Sequence, residues 1–203
     1  MIAVVDYRAG NAPSVGYALE RLGLEHRLVG TAADLDGCDR IVLPGVGAAR
    51  ATLDSLQESG LVEPMARRVH DDGAPFLGIC IGLQVLFEHS EEDDVEGLGW
   101  VPGTVRRFPD SLRVPQIGWN AVRATRAHPV TDGLGDDAYC YFVNSYFADP
   151  TDPQDALGVT DYGGEFCSIV GRGNVVATQF HAEKSGAVGL ALLERFAKWD
   201  GSC

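Results

Sequence analysis

Over the first 90 residues, apolar runs of strand length alternate with stretches of helical periodicity, and a chain so patterned has few folds open to it. The run Ile2 to Val5 ends in Asp6 and a turn containing Gly10 and Asn11. Pro13 suits a first helical turn, and Val15, Ala18, Leu19 and Leu22 recur at i, i+3, i+4 and i+7 before Gly23 stops the pattern. A strand is expected near His26 to Val29. A second, Arg40 to Leu43, stops at Pro44-Gly45-Val46-Gly47 and leads into a helical stretch carrying Leu53 and Leu56. Leu61 to His70 reads as a further helix, and Pro75 to Cys80 as a buried strand entering a helix at about Gly82 to His89. Strands joined through helices pair in parallel, so the expectation is a mostly parallel central sheet flanked by helices.

Beyond Ser90 the pattern changes. Glu91 to Glu96 packs five acids into six residues and reads as a solvated loop. Short strands follow at about Val114 to Val122, Tyr139 to Ala148, Phe166 to Val170 and Asn174 to Phe180. A last helix, about Ser185 to Trp199, presents Val188, Leu192, Phe196 and Trp199 on one face. With no repeat and no linker-like tract, residues 1–203 are expected to form a single α/β domain with a β-rich second half.

Composition removes whole classes of function. A net charge of -13 repels a phosphate backbone, which argues against nucleic-acid binding. No apolar run approaches the length of a membrane span, and the N-terminus has neither the basic region nor the cleavage site of a leader, so a cytoplasmic location is expected. Cysteines at 38, 80, 140, 167 and 203 form no C-x-x-C pair, so neither a zinc site nor a redox pair is indicated; neither a metal nor a cofactor is expected.

One cysteine stands apart. Gly78-Ile79-Cys80-Ile81-Gly82 is a G-x-C-x-G pattern where a buried strand gives way to a helix, which is the nucleophile elbow with sulfur in place of a hydroxyl. Small neighbours permit the sharp turn, and the helix beyond favours a thiolate and offers backbone N–H groups to an oxyanion. The pentapeptide alone also suits a small buried hydrophobe, so a base has to decide. His181 is followed two residues on by an acid, Glu183, which on an extended backbone lies to the same side and could orient the imidazole. Cys80, His181 and Glu183 then form a nucleophile, base and orienter.

Several motifs in order resemble the triad-type glutamine amidotransferases. These are Pro44-Gly45-Val46-Gly47, the Cys80 elbow after Pro75 to Ile79, Gln84 four residues later, and Gln179-Phe180-His181-x-Glu183. Asp6-Tyr7 with Gly10-Asn11, Val114-Pro115-x-Ile117-Gly118-Trp119-Asn120, Tyr141-Phe142-Val143 with Ser145-Tyr146, and Glu183 to Gly186 are similar to the glutaminase subunits of imidazole glycerol phosphate synthase. The resemblance implies a flavodoxin-like sheet and glutamine as substrate. It implies oxyanion donors around Val46, Gly47 and Ile81, substrate contacts from Gln84, Ser145 and Tyr146, and a partner interface including Lys184, Asn11 and Tyr141. The implied partner is a (β/α)8-barrel cyclase subunit in a heterodimer of histidine biosynthesis. It would use the ammonia to form imidazole glycerol phosphate and AICAR.

The chain departs from that pattern at Gln116 and Asn144, where histidine is usual, at Ala182 for proline, at Arg8 for glycine and at Ala12 for leucine. None touches the triad. A paralogous subunit feeding another synthase, of modified-sugar or secondary metabolism, is the alternative at this point, and a stand-alone thiol hydrolase is a further one.

Overall fold

The computed structural model describes residues 1–8, 11–135 and 138–202; Gly10 of the opening turn and Cys203 lie outside the described residues. The first half runs β1 (Ile2–Val5), α1 (Ala12–Arg21), β2 (His26–Val29), β3 (Arg40–Gly45), α2 (Ala49–Glu58), α3 (Val62–His70), β4 (Phe76–Cys80) and the one-turn α4 (Ile81–Gln84). The second half is mostly strand: β5 (Phe87–Ser90), β6 (Val95–Glu96), β7 (Val101–Arg107), β8 (Gln116–Ala121), β9 (Arg123–Ala124) and β10 (Tyr139–Asn144). It closes with β11 (Tyr146–Pro150), β12 (Ala156–Asp161), β13 (Glu165–Arg172), β14 (Val175–Thr178) and α5 (Gly186–Lys198).

Among the described residues, twelve strands form one sheet with the path β2-β1-β3-β4-β14-β13-β11-β7-β5-β6. From β2 to β14 every pairing is parallel, and β14 to β13 begins the antiparallel part. β1, β4 and β14 are buried along their whole length, as strands covered on both faces must be. Alternation sends Ala3 and Val5 to a core shared with Leu56, Met65 and Val69 of α2 and α3. Ile2 and Val4 face the opposite core, with Val15 and Leu19 of α1 and Leu192 and Phe196 of α5. The expected sheet with helices on both sides is therefore what forms.

Three local expectations are corrected. The helix expected over Gly82 to His89 stops at Gln84, and β5 follows. Carbonyls that a helix would have used are taken by the returning chain: Leu98 N–H donates to Val85, Trp100 and Val101 to Leu86, and Gly97 to Glu88. Tyr139 to Ala148, read as one strand, is two strands in different sheets, since β10 pairs with β8 in a separate ribbon and β11 joins the main sheet. The acidic stretch is not simply a solvated loop, because Val95 and Glu96 pair with β5 and Glu92 folds inward. Arg8, one of the departures noted above, has φ of 69°, a conformation that favours glycine.

The carboxyl ends of β3, β4 and β14 meet in register, with Gly45 opposite Cys80 and Thr178 opposite Ile79. Ligand sites of open α/β sheets form at such ends. The residues that follow these three strands are Val46-Gly47, α4 and Gln179 to His181.

Candidate active site

Cys80 ends β4 with φ of 57° and ψ of -108°, so the thiol is delivered at a sharp strand-to-helix turn. The turn closes because both flanking glycines lack a side chain. A Cβ on Gly78 would run into the carbonyl of Gly82, and a Cβ on Gly82 into the carbonyl of Leu43 on the neighbouring strand. A residue other than glycine at either place would push the elbow off the sheet. α4 is only one turn long, so its dipole contributes less than a full helix would.

His181 follows β14 and is 3% exposed. Its Nδ1 lies 2.9 Å from Oε1 of Glu183, whose side chain is 1% exposed. The local geometry differs from the extended segment expected, because Ala182 to Lys184 form a turn of 3-10 helix, yet that turn still returns the carboxylate to the ring. Burial by itself disfavours the imidazolium. Hydrogen bonds to Cys80 and Glu183 and the charges of both outweigh it, and the pKa is raised to about 9. Sulfur, ring and carboxylate thus stand in series, an arrangement able to move a proton off the thiol and return it to a leaving group.

Cys80 and His181 open onto a pocket of about 240 Å³ that Val46, Gly47, Ile81, Gln84, Ser145 and Tyr146 also line. Every residue expected for oxyanion stabilisation or substrate contact is therefore at one cavity. Gln84 is 5% exposed and donates to the Tyr146 carbonyl at 3.2 Å and to Gln179 Oε1 at 3.0 Å. Asn144 donates to the same carbonyl at 2.9 Å, so two side-chain amides hold the Ser145-Tyr146 backbone. The residues expected at a partner interface are elsewhere. Lys184 is exposed, Tyr141 stacks edge-on against Trp119, and the side chain of Asn11 reaches Glu183.

Three contributors were not legible in the sequence. Gln179, fully buried, places Nε2 3.8 Å from Cys80 Sγ. Ser185, 1% exposed, donates to the His181 carbonyl at 2.7 Å and accepts from Tyr141 N–H at 3.0 Å, which clamps β10 to the histidine. Glu92 lines the pocket and accepts from Ala49 N–H at the start of α2 at 2.7 Å. Burial raises its carboxyl pKa, the Ala49 hydrogen bond opposes the rise and the charge of Asp93 adds to it. A run of five acids carries no mark of which one turns inward.

The other described cysteines have no such setting. Burial pushes the thiols of Cys140 and Cys167 up to about 12 and raises that of Cys38 as well. Among the described residues no cluster of acids, histidines and cysteines is arranged to hold a metal ion.

Comparison with known proteins gives a consistent result. The family model of the class I glutamine amidotransferases matches residues 3–198. A protein of Dehalococcoides mccartyi named imidazole glycerol phosphate synthase subunit HisH is 44% identical over 199 residues, 98% of this chain and 97% of that protein. Its namesake from Syntrophotalea carbinolica is 45% identical over 204 residues, covering 97% of this chain and 98% of the relative. Among solved structures, a crystal structure of a glutamine amidotransferase superposes with a TM-score of 0.77 at 21% identity, covering 97% of each chain. The PurLQS structure from Thermotoga maritima superposes at 0.76 with 20% identity, again over 97% of each. At such identities the structural likeness speaks for the fold.

Proposed function

The chain belongs to the class I glutamine amidotransferase family, and from that premise we infer that it is the glutaminase subunit of an imidazole glycerol phosphate synthase. It hydrolyses glutamine to glutamate and ammonia, and a cyclase subunit consumes the ammonia in histidine biosynthesis. The observation that carries the chemistry is the His181–Glu183 pair at 2.9 Å, with His181 lining one pocket together with a thiol in an elbow.

Glutamine enters with its side-chain amide over Cys80. The sulfur attacks the amide carbon with its proton held on His181, and the carbonyl oxygen becomes an oxyanion facing the backbone of Val46, Gly47 and Ile81. Each well-placed donor there is worth about 3 kcal/mol to the transition state. The C–N bond then breaks with transfer of the proton from His181 to the departing nitrogen, which leaves as ammonia. Water, deprotonated by His181, attacks the thioester, and glutamate departs with the thiol restored. Glu183 orients the ring throughout. Glu92, the acidic residue among those lining the pocket, pairs with the α-ammonium of the substrate, while Gln84 fixes the Ser145-Tyr146 backbone against which the amino-acid end lies.

Ammonia released to water is protonated and lost to the synthesis, so the site has to open toward a partner. Support for where it docks comes from the β8–β10 ribbon, which exposes Ile117 (60%), Trp119 (57%), Tyr139 (52%) and Val143 (38%), the last also lining the pocket. A contiguous apolar face beside a site is the mark of an interface. The partner proposed is a (β/α)8-barrel cyclase subunit, with Lys184, Asn11 and Tyr141 toward it.

A glutamine analogue with an electrophilic side chain tests the site. Peptide mapping after treatment should find the label on Cys80, with Cys38, Cys140 and Cys167 unmodified. Label on any of those three with Cys80 clean would refute the assignment.

A further inference from the structure

The side chain of Asn11 is engaged where its position does not predict. Asn11 is the N-cap of α1 yet its side chain caps none of the helix's backbone N–H groups, although an asparagine there ordinarily contributes about 1 kcal/mol by capping. Its Nδ2 instead donates to Glu183 Oε1 at 2.9 Å, across 172 positions of sequence. Ser14 Oγ donates to Asn11 Oδ1 at 2.6 Å. The carboxylate fixes the amide, since Glu183 Oε1 can only accept, so the nitrogen faces it and the oxygen is left to accept from the Ser14 hydroxyl.

The Glu183 end leaves Asn11 no substitute. Oε1 accepts from both His181 Nδ1 and Asn11 Nδ2, each at 2.9 Å, while Oε2 is buried with no hydrogen-bond partner among the described residues. A carboxylate 1% exposed and held by a single histidine could swing about its own χ angles. A second donor on the same oxygen removes that freedom. A neutral amide suits the task, because it stabilises the carboxylate charge without competing for the imidazole proton.

We propose that Asn11 is a positioning residue of the hydrolytic site, holding the Glu183 carboxylate in the orientation from which it aims His181 at Cys80. The proposal rests on Cys80, His181 and Glu183 acting as inferred above. It gives the start of α1 a direct hold on the triad.

Two variants of the full chain, assayed with its cyclase partner, test it. Asn11→Ala should lower kcat for glutamine hydrolysis about tenfold or more, as loss of orientation does, with KM within about twofold of wild type. Asn11→Asp keeps the size and the Ser14 bond but sets a second carboxylate against Oε1. Two carboxylates at that separation titrate as a coupled pair, so the pH–rate profile and the His181 titration followed by NMR should both move by about half a pH unit or more. Thermal unfolding of both variants shows whether the fold is kept. Wild-type kcat in Asn11→Ala, or an unmoved His181 titration in a folded Asn11→Asp, would overturn the proposal. The titration needs no turnover. If Cys80 proved not to be the nucleophile the catalytic reading would fall, while the hold of Asn11 on Glu183 would still be decided.

Discussion

A cysteine at φ 57° is held against its own backbone preference, at a cost of about 1–3 kcal/mol, and the surrounding sheet has to supply that hold. The grip comes from Gly78 and Gly82, which let the elbow settle onto the neighbouring strand. Around it each polar side chain has a separable task. Glu92 touches neither Cys80 nor His181 in any hydrogen bond but lines the same pocket, where the proposed function pairs it with the substrate's α-ammonium. Glu92→Gln keeps its shape and an oxygen able to accept from Ala49 N–H while removing the charge. It should raise KM for glutamine about tenfold with kcat changed little, since the lost ion pair is uniform binding. Steady-state kinetics decide this. A fall in kcat at constant KM would place Glu92 in the chemistry instead.

At the level of elements, α5 is fastened by a residue far from it in sequence. Arg40 Nη1, on β3, donates to the carbonyls of Phe196 and Trp199, each at 3.0 Å, and to that of Ala197, so one guanidinium covers the C-terminal carbonyls of the helix. Arg40→Met retains the aliphatic stem and loses the donors. It should destabilise the protein by about 2 kcal/mol in urea unfolding, with Arg40→Lys intermediate, and leave KM for glutamine unchanged. Equal stability of Arg40→Met and wild type would show the cap to be idle. Such long-range fastening is what sequence reading misses. β1, β3 and β4 were legible because strands buried on both faces are continuous apolar runs, and α1 because its apolar face repeats at helical spacing. The end of α4 was not, because residues 97–101 claim the carbonyls of residues 85–88 from outside the window in which periodicity is read. In the site, the G-x-C-x-G elbow and the His181-x-Glu183 pair are local motifs and could be read. Glu92, Gln179 and Ser185 act only through contacts that the fold creates.

For the whole molecule, two buried histidines pull stability in opposite directions with pH. His128, 4% exposed, has its pKa lowered to about 4 by burial and by the charge of Arg126. A depressed histidine stabilises above its unfolded value near 6.5 and loses that contribution, up to about 3 kcal/mol, as pH falls toward 4. His181 is the reverse: raised to about 9, its contribution is whole below 6.5 and is lost as pH climbs through 9. Stability should therefore crest near pH 6.5. In His128→Asn the acid limb between pH 6.5 and 4 should flatten by about one proton's slope, and urea midpoints across that range measure it; an unchanged limb would mean His128 is not buried as a neutral ring. On the function proposed above, ammonia made at Cys80 is useful only to a partner subunit, so function too belongs to the whole assembly. Product formation by the complex of Cys80→Ser with the cyclase, fed either glutamine or an ammonium salt, is therefore the decisive assay. Synthesis from glutamine should fall by about four orders of magnitude or more while synthesis from ammonium stays at the wild-type rate. Glutamine-dependent synthesis that survives the substitution, or ammonium-dependent synthesis that disappears with it, would contradict a glutaminase built on Cys80.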